Sequence, residues 1–493
     1  MSDGTDAEVT AWLSARAERT IETACARVFL MGDVALKAKR HVAYGYLDFS
    51  TVAQRKWALD RELAFNSVRA PDIYRAVRRV TRTPGGALEL DGAGILVDHV
   101  LEMRRFDPDA VLSAQPQALD GDLAEALGRT IARSHEAAER RPASGREALA
   151  YVAQSNASLL RELADRLGAD LVEAVIAGTQ TELERRGELL EARSAGGFVR
   201  RCHGDLHLGN ILLEDGRPVL FDCIEFNDVL SDIDVLYDLA FLLMDLDFRD
   251  RRDAAVRVQS AYLDQAARSE TQVIDGLAAL PLMMALRAGV RAHVSAHGGD
   301  DDLARDYLRA ARRCLEAAPP RLIAVGGLSG VGKTSVSRLI APEVQPSPGA
   351  VILRSDEVRK RLAGREPDQS LAAAGYDSAA DGRVYAALCE AARELLRAGR
   401  SVVVDATFRR PEQRAQVEAV TRAVGAPFDG VWLEAPFEVL AARVAVRRGD
   451  ASDATIDVLR AQSAAGAGDI SWRRLDASTS AEAAARSWFP RVA

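Results

Sequence analysis

The sequence predicts an α/β chain in two parts, and three observations point to it. The stretch from Cys202 to Asp228 carries Asp205, Asn210 and Asp222 around two short apolar runs, Ile211 to Leu213 and Val219 to Phe221, which read as strands of a hairpin. A glycine loop, Gly327-Leu-Ser-Gly-Val-Gly332-Lys333-Thr334, follows the apolar run ending at Val325 and opens a helical stretch from Ser335 to Ile340. Between them, Ala317-Ala318-Pro319-Pro320 separates a helical pattern from alternating strand and helix. The expected parts are therefore 1–318, a bilobal region of strands followed by helices, and 319–493, an α/β/α sandwich on a parallel sheet.

Length and composition allow this. A chain of 493 residues has room for two to four domains, each with its own core. Its 48% hydrophobic and 28% charged residues are ordinary for a soluble protein, and a net charge of −8 gives no reason to expect nucleic acid as a partner. The five cysteines are scattered without a C-x-x-C, which argues against zinc or a disulfide framework and fits a reducing cytoplasm. No apolar segment follows the acidic first residues. The greasiest run, Val235 to Leu246, is broken by Asp238 and Asp245, so no membrane association is expected. Of 64 basic residues only five are lysine: Lys37, Lys39, Lys56, Lys333 and Lys360. In such a chain a lysine is enriched at places that need a compact ammonium, such as phosphate cradles.

The chemistry of the first part lies in His203-Gly204-Asp205, Asn210 and Asp222. A carboxylate beside a substrate hydroxyl can accept its proton, and an amide oxygen with a second carboxylate can hold Mg²⁺ on a triphosphate. The spacing H-x-D-x-x-x-x-N followed by a strand ending in Asp resembles the aminoglycoside phosphotransferase and choline kinase branch of the kinase-like fold. The resemblance implies Asp205 as catalytic base and Asn210 and Asp222 as metal ligands. Phe221-Asp222-Cys223-Ile224-Glu225 stands where a protein kinase has Asp-Phe-Gly, which argues against a flipping activation segment.

Upstream, residues 6–26 read as an amphipathic helix, and Arg27–Met31 and Val34–Lys39 as two strands about Gly32-Asp33. In kinase-like folds an N-lobe strand brings a Lys to the α/β-phosphates and a helix brings the Glu that orients it. Lys37 is the candidate, with Lys39 on the same strand face, and Glu62 in the helix over 51–70 is the partner. Runs from Ile73 to Val80 and Leu88 to Leu101 are further strands. Glu102 to Arg104, with Met103 at its centre, is by resemblance the hinge that meets adenine. Residues 119–190 are helical, and His135 reads as a packing residue. Asp228, near Asp232 and Asp234, is the carboxylate offered to the acceptor. Asp232 to Met244 starts a buried helix in which Asp238 resembles the residue that braces the catalytic loop. His293 and His297, four apart with no third ligand, read as surface or packing residues.

In the second part, the glycines of Gly327, Gly330 and Gly332 let backbone N–H groups, including that of Ser329, wrap phosphates. Lys333 reaches the β/γ-phosphates, Thr334 holds Mg²⁺, and Ser335 continues the cradle. The strands Ala350–Arg354, Ser401–Asp405 and Gly430–Glu434 follow, in an order that resembles the small P-loop kinases related to gluconate kinase, chloramphenicol phosphotransferase and zeta toxin. That resemblance implies Asp356 as the group that contacts and deprotonates an acceptor, Arg359 as a binder of it, and Asp405 as support for the metal. Arg447 or Arg448, in a lid-like segment with Arg443 and Asp453, would offset charge on the transferring phosphoryl.

Taken whole, the chain resembles bacterial proteins described as bifunctional aminoglycoside phosphotransferase/ATP-binding proteins. The resemblance implies an ATP- and Mg²⁺-dependent transfer of the γ-phosphate to a hydroxyl of a sugar, an aminoglycoside-like molecule or another small polar alcohol, with a second nucleotide site in the P-loop part. Other readings stay open at this point: catalysis by the P-loop part alone, two transfers in sequence on one substrate, aminoglycosides as the true acceptors, or a nucleotide sensor without turnover. Acceptor, nucleotide preference and oligomeric state are not legible.

Overall fold

The structure, a computed structural model, describes residues 4–44, 47–269, 273–371, 377–446 and 454–488. Its packing forms two compact units. One comprises Met1–Leu119, Ala138–Ala148 and Ser194–Asp238; the other comprises Asp120–Ala137, Leu149–Arg193 and Leu239–Ala493. The change of pattern at Pro319 marks where the second sheet begins, with strand Leu322–Gly326, while the packing boundary runs through the helices upstream of it.

In the first unit six described strands form an antiparallel sheet in the order Arg19–Glu22, Ala26–Met31, Val34–Lys39, Ile95–Arg104, Tyr74–Arg82, Leu88–Leu90. Helix Val52–Ser67 lies on this sheet. Its start is set by a capping box in which Thr51 Oγ1 accepts the Gln54 N–H and Gln54 Oε1 accepts the Thr51 N–H. Leu59 from the helix is buried with Leu30, Leu101 and Leu212, which ties sheet, helix and catalytic hairpin into one core.

Three sequence expectations need correcting here. The first helix ends at Ser14, not near residue 26; Arg19–Glu22 is an edge strand, where Thr20 and Ile21 pair with Phe29 and Val28. Such β-branched residues suit a pleated surface better than a helix. The run from Leu88 to Leu101 is two strands split at Gly92–Gly94; a Cβ on Gly94 would lie 1.9 Å from the Arg82 carbonyl oxygen, so only glycine permits the close backbone approach there. Asp232–Asp234 is a short strand antiparallel to Val199–Arg201. The helix starts at Val235, because Asp234 Oδ1 accepts the Leu236 N–H at 2.8 Å and so caps it.

In the second unit five described strands are all parallel, in the order Val351–Arg354, Val402–Asp405, Leu322–Gly326, Phe428–Glu434, Arg473–Asp476. Parallel neighbours need crossovers, which the intervening helices supply. The central strand Leu322–Gly326 is buried at every position, as a strand covered on both faces should be. Helices Gly121–Ala137 and Arg252–Ala266 belong to this unit and cross tightly, since a Cβ on Gly128 would lie 2.3 Å from the Val258 carbonyl oxygen. His135 Nδ1 sits 3.1 Å from the Tyr262 hydroxyl between the same helices, so its packing role is as expected. His297 Nδ1 is committed to the His293 carbonyl at 2.7 Å, and burial holds His293 down at about 4. Among the described residues one helical stretch, Asp275–His297, is long and apolar enough to cross a membrane; 67% of its most apolar window is buried inside the protein.

Candidate active sites

The alternation of a strand puts Lys37 and Lys39 on one face, and Glu62 lies between them. Lys37 Nζ is 2.6 Å from Glu62 Oε1 and 2.6 Å from Asp222 Oδ1. Lys39 Nζ is 2.7 Å from Glu62 Oε2 and 2.6 Å from Glu225 Oε1. Both lysines thus bind Glu62, which is fully buried. Burial opposes charge on all three, but mutual attraction wins: the lysines are held above the usual ammonium range and Glu62 below the usual carboxylate range. On Glu225 burial, helped by Glu62, outweighs Lys39 and pushes the carboxyl up.

The loop that leads into the hairpin Ile211–Leu220 is braced from beneath. Asp238 accepts the backbone N–H groups of His203 at 3.1 Å and Gly204 at 2.8 Å. His203 accepts the Asp205 N–H through Nδ1 at 3.3 Å and donates from Nε2 to the Phe221 carbonyl at 2.9 Å. These bonds need a neutral ring with its proton on Nε2, and burial lowers the His203 pKa accordingly. One imidazole thereby fastens the loop of Asp205 to the strand end before Asp222. Asp222 adopts a left-handed conformation, φ 60°, which a non-glycine residue holds only when its surroundings fix it. Its N–H donates to the Tyr74 hydroxyl at 3.0 Å, and the next N–H, of Cys223, donates to Asn66 Oδ1 at 3.1 Å.

Asn210 Nδ2 donates to the Asp205 carbonyl and to Asp205 Oδ2, both at 2.9 Å. The Asp205 carboxylate stays 39% exposed, with His207 Nε2 3.5 Å away. A cavity of about 150 Å³ is lined by Val28, Leu30, Lys37, Tyr74, Met103 and Asp222 among others, and not by Asp205 or Asn210. Of the expected hinge residues Met103 faces this cavity, whereas Glu102 pairs with Arg78 and Arg104 with Glu214. Strand Ile95–Arg104 runs through all three, so the connector begins after them. Asp228 is bound by Arg61 and, at 2.7 Å, by Arg201 Nη1; against partial burial these guanidiniums hold its carboxyl below the usual range.

In the second unit the glycine loop lies between strand Leu322–Gly326 and helix Lys333–Ile340. Gly327, Gly330 and Gly332 have φ of 139°, 84° and 94°, which is why glycine is required at each. Thr334 Oγ1 donates to Asp405 Oδ2 at 2.6 Å, and Lys333 Nζ to the Leu328 carbonyl at 3.1 Å. The Ser329 N–H is held by Gln462 Oε1 at 2.9 Å. A cavity of about 650 Å³ is bordered by this loop, including Ser329, Gly330 and Ser335, and by Asp356, Arg359 and Tyr385. Asp356 lies in the first turn of helix Ser355–Leu362, whose N-cap is Arg354. Arg359 pairs with Asp381 at 2.5 Å, and Asp381 with Arg410 at 2.7 Å. Arg443 donates to backbone carbonyls, including Ala477 at 2.8 Å. Arg447, Arg448 and Asp453 lie outside the described residues.

The donor sets suit Mg²⁺, which takes oxygen ligands. Thr334 and Asp405 bring two oxygens together, and the Asn210 amide spends its NH₂ on Asp205, turning Oδ1 away from it. Sequence reasoning missed Asn66, Tyr74, His207, Asp381 and Gln462. His207 stands inside the His203–Asn210 motif, two residues from Asp205; the other four stand in no local motif and reach their places through tertiary packing. Glu225 was legible in part, since a second strand lysine invites a second carboxylate.

Residues 58–275 match the phosphotransferase enzyme family and residues 322–466 match an AAA domain family. An uncharacterized protein of Mycobacterium tuberculosis is 32% identical over 477 residues, covering 92% of this chain and 91% of its own, and an uncharacterized protein of Mycobacterium bovis matches equally. Among solved structures, a gluconokinase from Sinorhizobium meliloti 1021 is 23% identical over 35% of this chain and 90% of its own (TM-score 0.25). The amicoumacin kinase hAmiN, in complex with AMP-PNP, Ca²⁺ and Ami, is 15% identical over 63% and 93% (TM-score 0.39). The chain thus has a kinase-like phosphotransferase region followed by a P-loop kinase region, which together support a phosphotransferase activity.

Proposed function

We propose, for a chain that belongs to the family of these uncharacterized mycobacterial proteins, that its phosphotransferase region and its P-loop region are both ATP sites and that the first transfers the γ-phosphate to a hydroxyl of a small polar molecule. The observation that carries this reading is the group made by Lys37, Glu62 and Asp222, of which Lys37 and Asp222 line a cavity, together with the Asp205–Asn210 pair on the hairpin that leads to Asp222. In it, Lys37 binds the α/β-phosphates, with Glu62 fixing its ammonium. Met103 lies against the adenine. Asp205, oriented by Asn210, accepts the proton of the attacking hydroxyl. Asn210 and Asp222 hold Mg²⁺, which when bound neutralises charge on the phosphate oxygens. Asp228 serves the acceptor side from its pairs with Arg61 and Arg201.

In the P-loop region the backbone N–H groups of Gly330, Gly332, Lys333 and Thr334 and the Lys333 ammonium bind phosphates, while those of Gly327, Ser329 and Val331 donate to the Thr407 carbonyl, Gln462 and the Leu328 carbonyl; Thr334 and Asp405 hold the metal. Asp356 faces an acceptor hydroxyl, Arg359 binds that acceptor, and Arg447 or Arg448 offsets phosphoryl charge. A second reading, in which this region alone performs transfer, is favoured by volume. Its cavity, about 650 Å³ against about 150 Å³, has room for nucleotide and acceptor together.

The test is ATP consumption, with products identified by mass, by wild type, Asp205→Asn and Lys333→Ala against sugars, nucleosides and aminoglycosides. We expect each variant to lose its own phosphorylated product. Full transfer by Asp205→Asn with every acceptor would leave the P-loop region as the sole catalyst. ATP binding without any product across the panel would make the protein a nucleotide sensor.

A further inference from the structure

A row of alternating charges runs from the phosphotransferase region into the P-loop site. Arg354, at the end of strand Val351–Arg354, puts Nη2 3.5 Å from Thr334 Oγ1 and Nε 3.9 Å from Asp405 Oδ2, beside the two oxygens that meet at 2.6 Å. Its Nη1 is 3.2 Å from Glu357 Oε1. The same oxygen of Glu357 lies 3.3 Å from Arg129 Nη2. Arg129 comes from helix Gly121–Ala137, inside the phosphotransferase match and far from the P-loop in sequence. One turn earlier Glu125 binds Arg338, on the helix that follows the P-loop, and lies 3.7 Å from Arg257. The row is largely dry: the side chains of Arg129, Glu357, Arg354 and Asp405 are 14%, 9%, 8% and 6% exposed.

The surrounding packing makes the row rigid. Val256, on helix Arg252–Ala266, belongs to the same core as Ile323, Val325 and Ile340 of the P-loop sheet and its helix. Ser260 on that helix accepts the Ile352 N–H at 2.9 Å and so occupies the open edge of strand Val351–Arg354. Arg361, at the far end of the helix that carries Asp356 and Arg359, pairs with Asp264. The strand and helix flanking the P-loop site are thus fixed against helices of the phosphotransferase region.

We propose that Arg129 and Glu357 are positioning residues through which the phosphotransferase region sets the charge felt at the Thr334–Asp405 end of the P-loop site. The proposal rests on reading that site as one for a Mg²⁺-bound nucleotide. Arg354 competes for the oxygens a cation would take. Glu357 offsets the charge that Arg354 brings to them, and Arg129 shares the charge of Glu357 and so weakens that offset. In a poorly solvated row, each unit charge added or removed acts strongly on a divalent ion nearby.

The sign of the effect separates this role from a structural one. The probe is ATP, bound to the full-length chain at increasing Mg²⁺, counting only the binding that Lys333→Ala removes in each background. Glu357→Gln removes the charge that offsets Arg354 and raises the Mg²⁺ needed for half-saturation, by about tenfold. Arg129→Met leaves Glu357 to Arg354 alone and lowers it several-fold. Arg129→Lys stays near wild type, and the double variant Arg129→Met/Glu357→Gln returns towards it. If both single variants move in the same direction, or neither moves, the relay is overturned while the nucleotide site stands. If Lys333→Ala removes no ATP binding, the reading of the P-loop site falls and the relay with it.

Discussion

Asp205→Asn is expected to lower transfer at the N-terminal site by about 10²- to 10⁴-fold, with ATP affinity nearly unchanged. The substitution keeps size and leaves the Asn210 bond to the Asp205 carbonyl in place, so the hairpin should keep its shape. On the proposed reading the group lost is the proton acceptor, which works in the transfer step and not in nucleotide binding. The effect should therefore fall on kcat, not on the KM for ATP. Single-turnover transfer to whichever acceptor the panel identifies, beside equilibrium ATP binding, checks this. Equal losses in both would mean that Asp205 binds nucleotide and is not the base.

Glu62→Gln is expected to cost about 3–5 kcal/mol of stability, because it removes the carboxylate shared by two buried ammonium groups. Asp222 and Glu225 would remain to pair Lys37 and Lys39, and Glu62 is the member with no exposure at all. Since folding lowers the Glu62 pKa from 4.5 to about 2, its contribution is complete above pH 4.5 and is lost as pH falls from there towards 2. Urea unfolding of wild type and Glu62→Gln should differ by a constant amount above about pH 5 and converge only as pH falls towards 2. A difference that does not change with pH would show that the lost stability comes from packing and not from the ion pairs.

How far such features could be read from sequence depended on how local they are. The glycine loop was legible because its geometry is built from adjacent residues, three of which need positive φ. Asp205, Asn210 and Asp222 were legible because one hairpin sets their spacing. Of the five lysines, Lys37 and Lys39 sit in buried ion pairs, Lys333 lies in the glycine loop and Lys360 is buried against the Pro367 carbonyl, whereas Lys56 is about half exposed beside Asp60. The choice between Lys37 and Lys39 dissolved because Glu62 has two oxygens and serves both. By contrast, Asn66 meets Cys223, and Arg129 meets Glu357, only after distant segments have packed. The strand Arg19–Glu22 was hidden for a related reason: a short polar edge strand has no period of its own and exists by pairing with its neighbour.

The central claim, two nucleotide sites in one chain, is tested most directly by counting them. Equilibrium binding of ATP with saturating Mg²⁺ should give two nucleotides per wild-type chain and one per Lys333→Ala chain. One nucleotide per chain in both proteins would contradict the account, because the P-loop region would then hold none.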